Sequence, residues 1–475
     1  MLKKAREKQC KAVLVTIEDM MPKEHFLRDL DHYVSFDFIY KRVEHLYSDI
    51  GKGSIDPVVI FKMLLLGYLY GIYSERRLET EVQVNIAYRW FLGLDLDERV
   101  PDHSTFSQLR RRKFKDSSLF QEIFDEVVRR CMEAGLVDGE LLLTDSTHVK
   151  ANVNDAKREV IIVKEEPSAY MKRLDELALQ EGLIAEVGKT SPQSKEKTKE
   201  VTKSITDPDA GILKRPGKPT GFHYLSHNTI DGNSGIITDV HVTPGNVKDS
   251  TPHSERIQHQ INKFGFGTKE VGADMGYSSG EIHNDMLKMG IKTYIPKCPF
   301  SNQFPGVYGK ENFTYDNERD CYVCPNGCIL KYSTFRKGNG NKRYAASYKD
   351  CSNCPLKSNC CTGACRTIER GYHETEAEIQ HKNNETYRYT QIMRKRQIWC
   401  EGNNSHQKAR HCLTRTKMRG LERAKEQCLF SACALNLIRL VRQLKRLDSP
   451  AFVTILQIQC AIFDRCFASP RLRFA

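Results

Sequence analysis

The chain has 475 residues, 40% hydrophobic and 9% aromatic, with 73 Lys and Arg against 60 Asp and Glu for a formal charge of +13. Such a length exceeds one ordinary core, so two or three domains are expected, and the composition excludes a disordered polymer. The positive balance suits a polyanionic partner, because neutralisation of phosphates dominates non-specific nucleic-acid affinity. Residues 1–19 offer no signal-peptide core, and the most apolar stretch, 63–73, falls short of the roughly 18 residues of a membrane span. A cytoplasmic protein without membrane association is therefore expected. Its 17 cysteines are then not read as a disulfide framework, since the cytosol keeps thiols reduced.

Residues 1–137 read as a helical N-terminal domain. Asp56-Pro57 is a helix start, and Val58, Phe61, Leu65, Leu69 and Ile72 recur at the spacing of one buried face. Pro101-Asp102 opens another helix whose later turns carry Arg110, Arg111, Arg112 and Lys113. That basic run reads either as a solvated face or as a helix on DNA phosphates.

The pattern changes at Leu141. Three leucines lead into Thr144-Asp145-Ser146-Thr147, a short apolar strand ending in a carboxylate. Residues 155–205 read as a Lys- and Glu-rich spacer holding one exposed amphipathic helix through Met171, Leu174 and Leu177. Two strand-like runs, 222–230 and 235–242, follow around Asp231-Gly232, a hairpin signal. A helix over 250–264 precedes Glu270-Val271-Gly272-Ala273-Asp274, a second buried strand ending in a carboxylate. A helix over 279–289, a fifth strand over 291–295, a cysteine-rich insertion over 298–385 and helical pattern over 386–444 complete the chain. Domain boundaries are expected at 138–297 and 386–445 for the two parts of the catalytic domain, with a tail over 446–475. Without the insertion, the order is strand, strand, strand, helix, strand, helix, strand, helix. It matches a ribonuclease-H-like α/β arrangement, whose adjacent first and fourth strands would bring Asp145 together with Asp274.

Cutting or joining a phosphodiester requires an activated oxygen and a stabilised leaving oxygen, which two divalent ions roughly 4 Å apart supply. Mg²⁺ takes hard oxygen ligands, so two or three carboxylates suffice. An Asp at the end of a buried strand is rigidly placed for this, though each alone also reads as a turn former or helix cap. Glu401 on a following helix could complete the set, with Glu374 and Glu422 as rivals.

Most of the chain resembles the DDE transposases of bacterial insertion sequences, in the branch with an InsH-like N-terminal domain. The resemblance runs through Met63–Gly67, Ser74-Glu75-Arg76-Arg77-Leu78-Glu79, Arg89-Trp90-Phe91-Leu92-Gly93 and Pro101-Asp102-His103-Ser104-Thr105-Phe106. It continues through Thr144–Thr147, Ala273-Asp274-Met275-Gly276-Tyr277, Glu401, Lys408, Arg419-Gly420-Leu421-Glu422 and Asn436-Leu437, departing at Asn404-Ser405. It implies Asp145, Asp274 and Glu401 as catalytic ligands of Mg²⁺ or Mn²⁺ and Lys408 as a contact to DNA. Arg394, Lys395 and Arg396 are the candidates for the basic residue that precedes the Glu, with Arg396 among the expected contacts to DNA. The reaction it implies is hydrolysis at the ends of the element, then attack of the freed 3′-hydroxyl on target DNA. The partners would be terminal inverted repeats and target DNA, with the protein a homo-oligomer on DNA. A domesticated or inactive DNA-binding relative is the alternative.

In the insertion, Cys321-x2-Cys324 and Cys351-x2-Cys354 have the spacing of a structural Zn²⁺ site, with Cys328, Cys360, Cys361 and Cys365 as further candidates. Reduced, unliganded thiols are the other reading. The segment reads as too polar to build its own core, so zinc would order it, and its basic residues (Lys331, Arg336, Lys337, Lys342, Arg343) could touch DNA.

Overall fold

The computed structural model describes residues 14–47, 54–114, 118–164, 169–184, 198–215, 217, 220–298, 306–336 and 339–449. Lys337 and most of the expected tail lie outside these residues, as does part of the 155–205 spacer. In chain order, helices α1 (Phe26–Tyr33), α2 (Pro57–Leu69), α3 (Glu75–Val84), α4 (Ile86–Leu92), α5 (His103–Arg112) and α6 (Leu119–Glu133) precede strand β1 (Leu141–Lys150). Then come β2 (Arg158–Lys164), α7 (Ala169–Gln180), β3 (Thr198–Ser204), β4 (Gly211–Leu213), β5 (Gly221–Asp231), β6 (Ile237–Pro244), α8 (His253–Phe264), β7 (Glu270–Gly272), α9 (Gly280–Lys288) and β8 (Lys292–Tyr294). Strands β9 (Thr314–Asp316), β10 (Cys321–Val323), β11 (Ile329–Arg336), β12 (Asn341–Ala345) and β13 (Thr367–Gly371) follow. The chain ends in α10 (Glu374–His381), α11 (Tyr387–Arg396), a π-helical segment (Gln397–Glu401), α12 (Gly402–Arg410) and α13 (Leu421–Leu447).

The helix starts follow their capping chemistry. Asp56 accepts from Val58 N at 2.7 Å ahead of Pro57, and Asp102 accepts from Ser104 N at 2.7 Å. Each satisfies an amide that the first turn leaves without a partner.

The chain divides into two compact units, the first comprising 1–137, 236–240 and 402–475 and the second 138–235 and 241–401. In the first, α13 packs against α1, α2 and α6. Its buried face carries Cys428, Leu429, Phe430, Cys433, Leu437 and Leu440, and Phe430 stacks on Tyr68 with ring centroids 5.3 Å apart. Arg110, only 3% exposed, donates to Glu426 and to Glu75 at 2.6 Å each. Glu426 is itself 2% exposed, so the pair links α5 to α13 without water. Asn436 of α13 clips the backbone of Ile237, accepting from its N at 2.9 Å and donating to its O at 2.8 Å.

The second unit contains strands β4, β5, β1, β7 and β8 of the main sheet, in that order. Strand β1 is antiparallel to β5 and parallel to β7, and β7 is parallel to β8. Two parts differ from the sequence reading. The spacer holds a two-stranded antiparallel ribbon, β2–β3, as well as α7. Leu174 and Ala178 of α7 are buried, with Leu174 close against Gly340, so that helix is docked where exposure was expected. The cysteine-rich segment is a five-stranded antiparallel sheet, β13-β12-β11-β10-β9, and it does build a core, from Phe313, Tyr322, Leu330, Tyr344 and Ile368. Composition hid that core because its bulk comes from tyrosines, whose hydroxyls are satisfied at the edge: Tyr315 and Tyr344 both donate to Asp320.

Replacing Arg110 with Met should leave Glu426 buried with only Arg423 near it (3.2 Å) and cost about 3–5 kcal/mol of stability in denaturant titration. Arg111→Ala, at an exposed position beside it, should change stability by no more than about 0.5 kcal/mol.

Candidate active site

The parallel register of β1 and β7 sets Leu143 opposite Gly272. Asp145 and Asp274 each lie two residues beyond that pair. β7 ends before Asp274, whereas β1 continues past Asp145 to Lys150, so the strand does not end at the first carboxylate as its sequence suggests, because β5 keeps pairing with it. Leu141–Leu143 and Val271 are buried on both sides, which makes both strands rigid there. Asp274 also caps a short 3₁₀ turn (Met275–Tyr277), accepting from Gly276 N at 2.9 Å.

Helix α11 lies across these strands because Gly272 lacks a side chain. A Cβ there would sit 2.6 Å from Ile392 and 2.9 Å from Leu143. Beyond α11 the chain makes a π turn, Gln397–Glu401, which inserts one residue into the helical repeat; such bulges recur at functional sites. The turn is anchored at the β5–β6 hairpin. Gly235, at φ +76°, leaves room for the Trp399 indole, and Lys395 donates to Asn233 at 2.7 Å. Cys400 is fully buried here and its thiol is pushed well up, by burial first and then by the charges of Asp145, Glu401 and Asp274. Cys400 thus lies near Asp145 and Asp274, and Glu401, the next residue in the chain, is exposed.

Asp145 is raised to about 6, mainly by burial, with Arg396 pulling it down and Asp274 and Asp249 pushing it up. Carboxylate oxygens are the donors a hard divalent cation takes, and burial of Asp145 disfavours its charged form. The oxygens of Asp145, Asp274 and Glu401 do not all fall within 4.8 Å of one another; among the described residues only Glu79, Asp102 and His103 form such a group. Ligands shared between two ions need no such convergence, since ions about 4 Å apart hold ligands on opposite sides. The Glu79 group is accounted for by helix capping: Glu79 accepts from the His103 backbone at 2.9 Å and lies 2.8 Å from its Nδ1.

Of the basic residues singled out in the sequence, Arg396 faces Asp145. Arg110 has its guanidinium committed to two carboxylates, as described above. Arg111 and Arg112 are exposed, while Lys113 lies 3.2 Å above the Tyr47 ring. Lys408 is half-buried on α12 in the first unit. Two residues near the carboxylates escaped the sequence reading. Asp249 sits close enough to push Asp145 up, and Arg215 grips it with two bonds, at 2.5 and 2.7 Å. The available signal was the turn Pro244-Gly245-Asn246-Val247-Lys248-Asp249 closing β6. Tyr277 is buried beside Asp249, Asp145 and Asp274, and burial with those charges keeps its phenol protonated.

The cysteines divide. Cys328 N donates to Cys324 Sγ at 3.3 Å, and the Cys328 thiol is raised by burial and then by the nearby Cys324, Asp350 and Cys354. Cys351 packs against the tyrosine core. Cys321 precedes Tyr322 on β10 and so points to the opposite face of the sheet from that core. No disulfide joins cysteines among the described residues, and no helix among them is long and apolar enough to cross a membrane.

Comparison with known proteins gives two family matches. Residues 15–112 match a transposase domain (DUF772), and residues 323–441 match a transposase DDE domain. The second span contains Glu401 but neither Asp145 nor Asp274. No curated protein matches. Among solved structures, one similar chain is a piggyBac transposase in a synaptic complex with hairpin DNA. It is 9% identical, with 92% of this chain and 84% of that one covered, and its TM-score of 0.26 carries no argument about fold. With a transposase domain matched toward its N-terminal end and a transposase DDE domain matched toward its C-terminal end, the two matches support an insertion-sequence DDE transposase.

Proposed function

We propose that this DNA transposase cleaves at the ends of its element and joins them to target DNA, with Asp145, Asp274 and Glu401 as the metal-holding carboxylates of a ribonuclease-H-like domain. The observation that supports the reading is the β1–β7 register, which pairs Leu143 with Gly272 two residues before each aspartate, with the π turn that ends at Glu401 packed against β1. Strand order β4-β5-β1-β7-β8, with only the first of the antiparallel strands touching a parallel one, supports the fold assignment. Divalent ions, when bound, would activate the attacking oxygen and stabilise the leaving one. The protein's own part is positional. Buried strands hold two carboxylates in place, Arg396 offsets part of their charge, and the fully buried Cys400 keeps water from behind them. In-line hydrolysis breaks the phosphodiester at the element's end and leaves a 3′-hydroxyl; that hydroxyl then displaces a target phosphodiester oxygen, so no enzyme-bound covalent intermediate is required. Exposed Arg111 and Arg112, in a helical region through residue 137 that would bind DNA, and Lys408 on α12 are proposed contacts to DNA phosphates.

Asp145→Asn, Asp274→Asn and Glu401→Gln should each lower Mg²⁺-dependent nicking of element-end DNA by at least a hundredfold and leave DNA binding within about twofold. Nicking retained by any one variant would take that residue out of the site. An inactive DNA-binding relative, the rival reading, would show binding without nicking in the unmodified chain.

Mn²⁺ or Mg²⁺ should raise the melting temperature of the wild-type protein, because ligand binding to the folded state alone stabilises it. Asp145→Asn should melt higher than wild type without metal, since the uncompensated buried charge is gone, and should lose most of the metal-induced rise. Equal metal shifts in both proteins would remove Asp145 from the ligand set.

We also propose that a structural Zn²⁺ in the five-stranded segment would draw Cys324, Cys351, Cys354 and, in place of Cys321, Cys328 together, since as they stand these thiols do not form a group within 4.8 Å. The N–H of Cys328 on Cys324 Sγ supports a thiolate there. Elemental analysis should give about one zinc per chain, as a closed four-thiolate site requires. Cys351→Ser with Cys354→Ser should abolish it, and Cys321→Ser should keep it. Zinc-free protein purified without chelator under reducing conditions would end the idea.

A further inference from the structure

One cavity of about 660 Å³ opens between the β2–β3 ribbon and the turn that follows β6. Its lining includes Lys199, Lys203, Lys214, Arg215 and Lys248 against two carboxylates, Glu200 and Asp209. Four of these cations, Lys199, Lys203, Lys214 and Lys248, are exposed and have no ion pair among the described residues. Lys199 and Lys203 project from the same face of β3, since side chains alternate along a strand. Four residues of strand separate them by about 13 Å, which is the axial rise of about four nucleotides in one DNA strand. Lysines so spaced offer positive charge at intervals that the phosphates of an extended polyanion can follow.

The fifth cation fixes where the groove leads. Arg215 is held by Asp249, and Asp249 stands near Asp145 and Tyr277. One end of the groove therefore abuts the candidate active site, and its walls all belong to the second unit.

We infer that this groove carries the phosphodiester backbone of the DNA strand on one side of the scissile bond, with Lys199, Lys203, Lys214 and Lys248 along its phosphates and the Arg215–Asp249 pair at its inner end. The inference rests on the DNA-cleavage reading above and adds the path of the substrate. It also gives the β2–β3 ribbon, which no family match spans, a role as a wall of the binding channel.

The test uses the full-length chain and a labelled duplex carrying the DNA that flanks the element. The variant Lys199→Gln/Lys203→Gln/Lys214→Gln should bind with a log K against log salt slope shallower by about 2–3, each lost phosphate contact removing about 0.9. Its nicking should fall at least tenfold, and the triple Arg variant at the same positions should restore both, which separates charge from folding. An unchanged slope with wild-type nicking would overturn the groove and leave the cleavage reading intact. A shallower slope in a protein whose wild type never nicks would support the groove and defeat the cleavage reading instead. If the Gln variant loses nicking but keeps the wild-type slope, or if the Arg variant fails to rescue, the groove does not hold phosphates and the proposal falls.

Discussion

The parallel pairing of β1 with β7 is the constraint on which the site depends. Two strands far apart in sequence run side by side, and a one-residue change of register would turn one carboxylate to the opposite face of the sheet. Register is held from both sides. On one side β5 pairs with β1 from Leu142↔Asp231 to Lys150↔His223, and on the other β8 pairs with β7. Asp231 adds a local lock: it accepts from Asn233 N at 3.0 Å and Ser234 N at 2.9 Å, tying the hairpin that closes β5. Gly272 then lets α11 approach closely enough for the π turn to pack against β1. Carboxylate geometry is thus set by backbone pairing and by one missing side chain, and loops contribute little to it.

Holding acidic groups this way costs stability. Asp145 is raised to about 6 because the buried strand offers little solvation and Asp274 adds like charge. A protein selected for stability alone would place neutral groups there. Arg396 offsets the cost in part, and the Arg215–Asp249 pair keeps a further carboxylate engaged. Buried charge that its own surroundings do not neutralise is a physical reason to expect cations at a site, whether metal ions or the groups of a partner.

The helical unit solves a different problem with similar parts. Arg110, Glu75 and Glu426 form a buried ionic link whose members come from distant parts of the sequence. Such a link adds little net stability relative to apolar packing, but breaking it is expensive, so it restricts how α5 and α13 can be arranged. Arg110 and Arg111 are adjacent in a basic run and have opposite fates, one buried and one exposed. The side of the helix that faces α13 decides between them.

Much of this was readable in the residues alone. Leucines ahead of Asp145, the apolar strand ahead of Asp274, the Asp231-Gly232 turn and the capped starts at Asp56 and Asp102 are local signals, set by burial period and by capping chemistry. They sufficed for the order of elements outside the β2–β3 ribbon and the five-stranded segment, and for the resemblance carried by the motifs. Long-range packing decided the rest. The π turn before Glu401 has no local signature, because an inserted residue in a helix is chosen by what the helix must reach. Asp249 and Arg215 are ordinary turn residues until β6 and β4 bring them together. The tyrosine core of the five-stranded segment hid behind polar composition, since a phenol counts as buried or exposed only when its hydroxyl finds a partner such as Asp320. Cys321 and Cys324 share a motif spacing, yet strand alternation sends Cys321 away from the core. Local sequence fixes what each short segment prefers, whereas the partner that satisfies a charge, a hydroxyl or a thiol is chosen by residues hundreds of positions away.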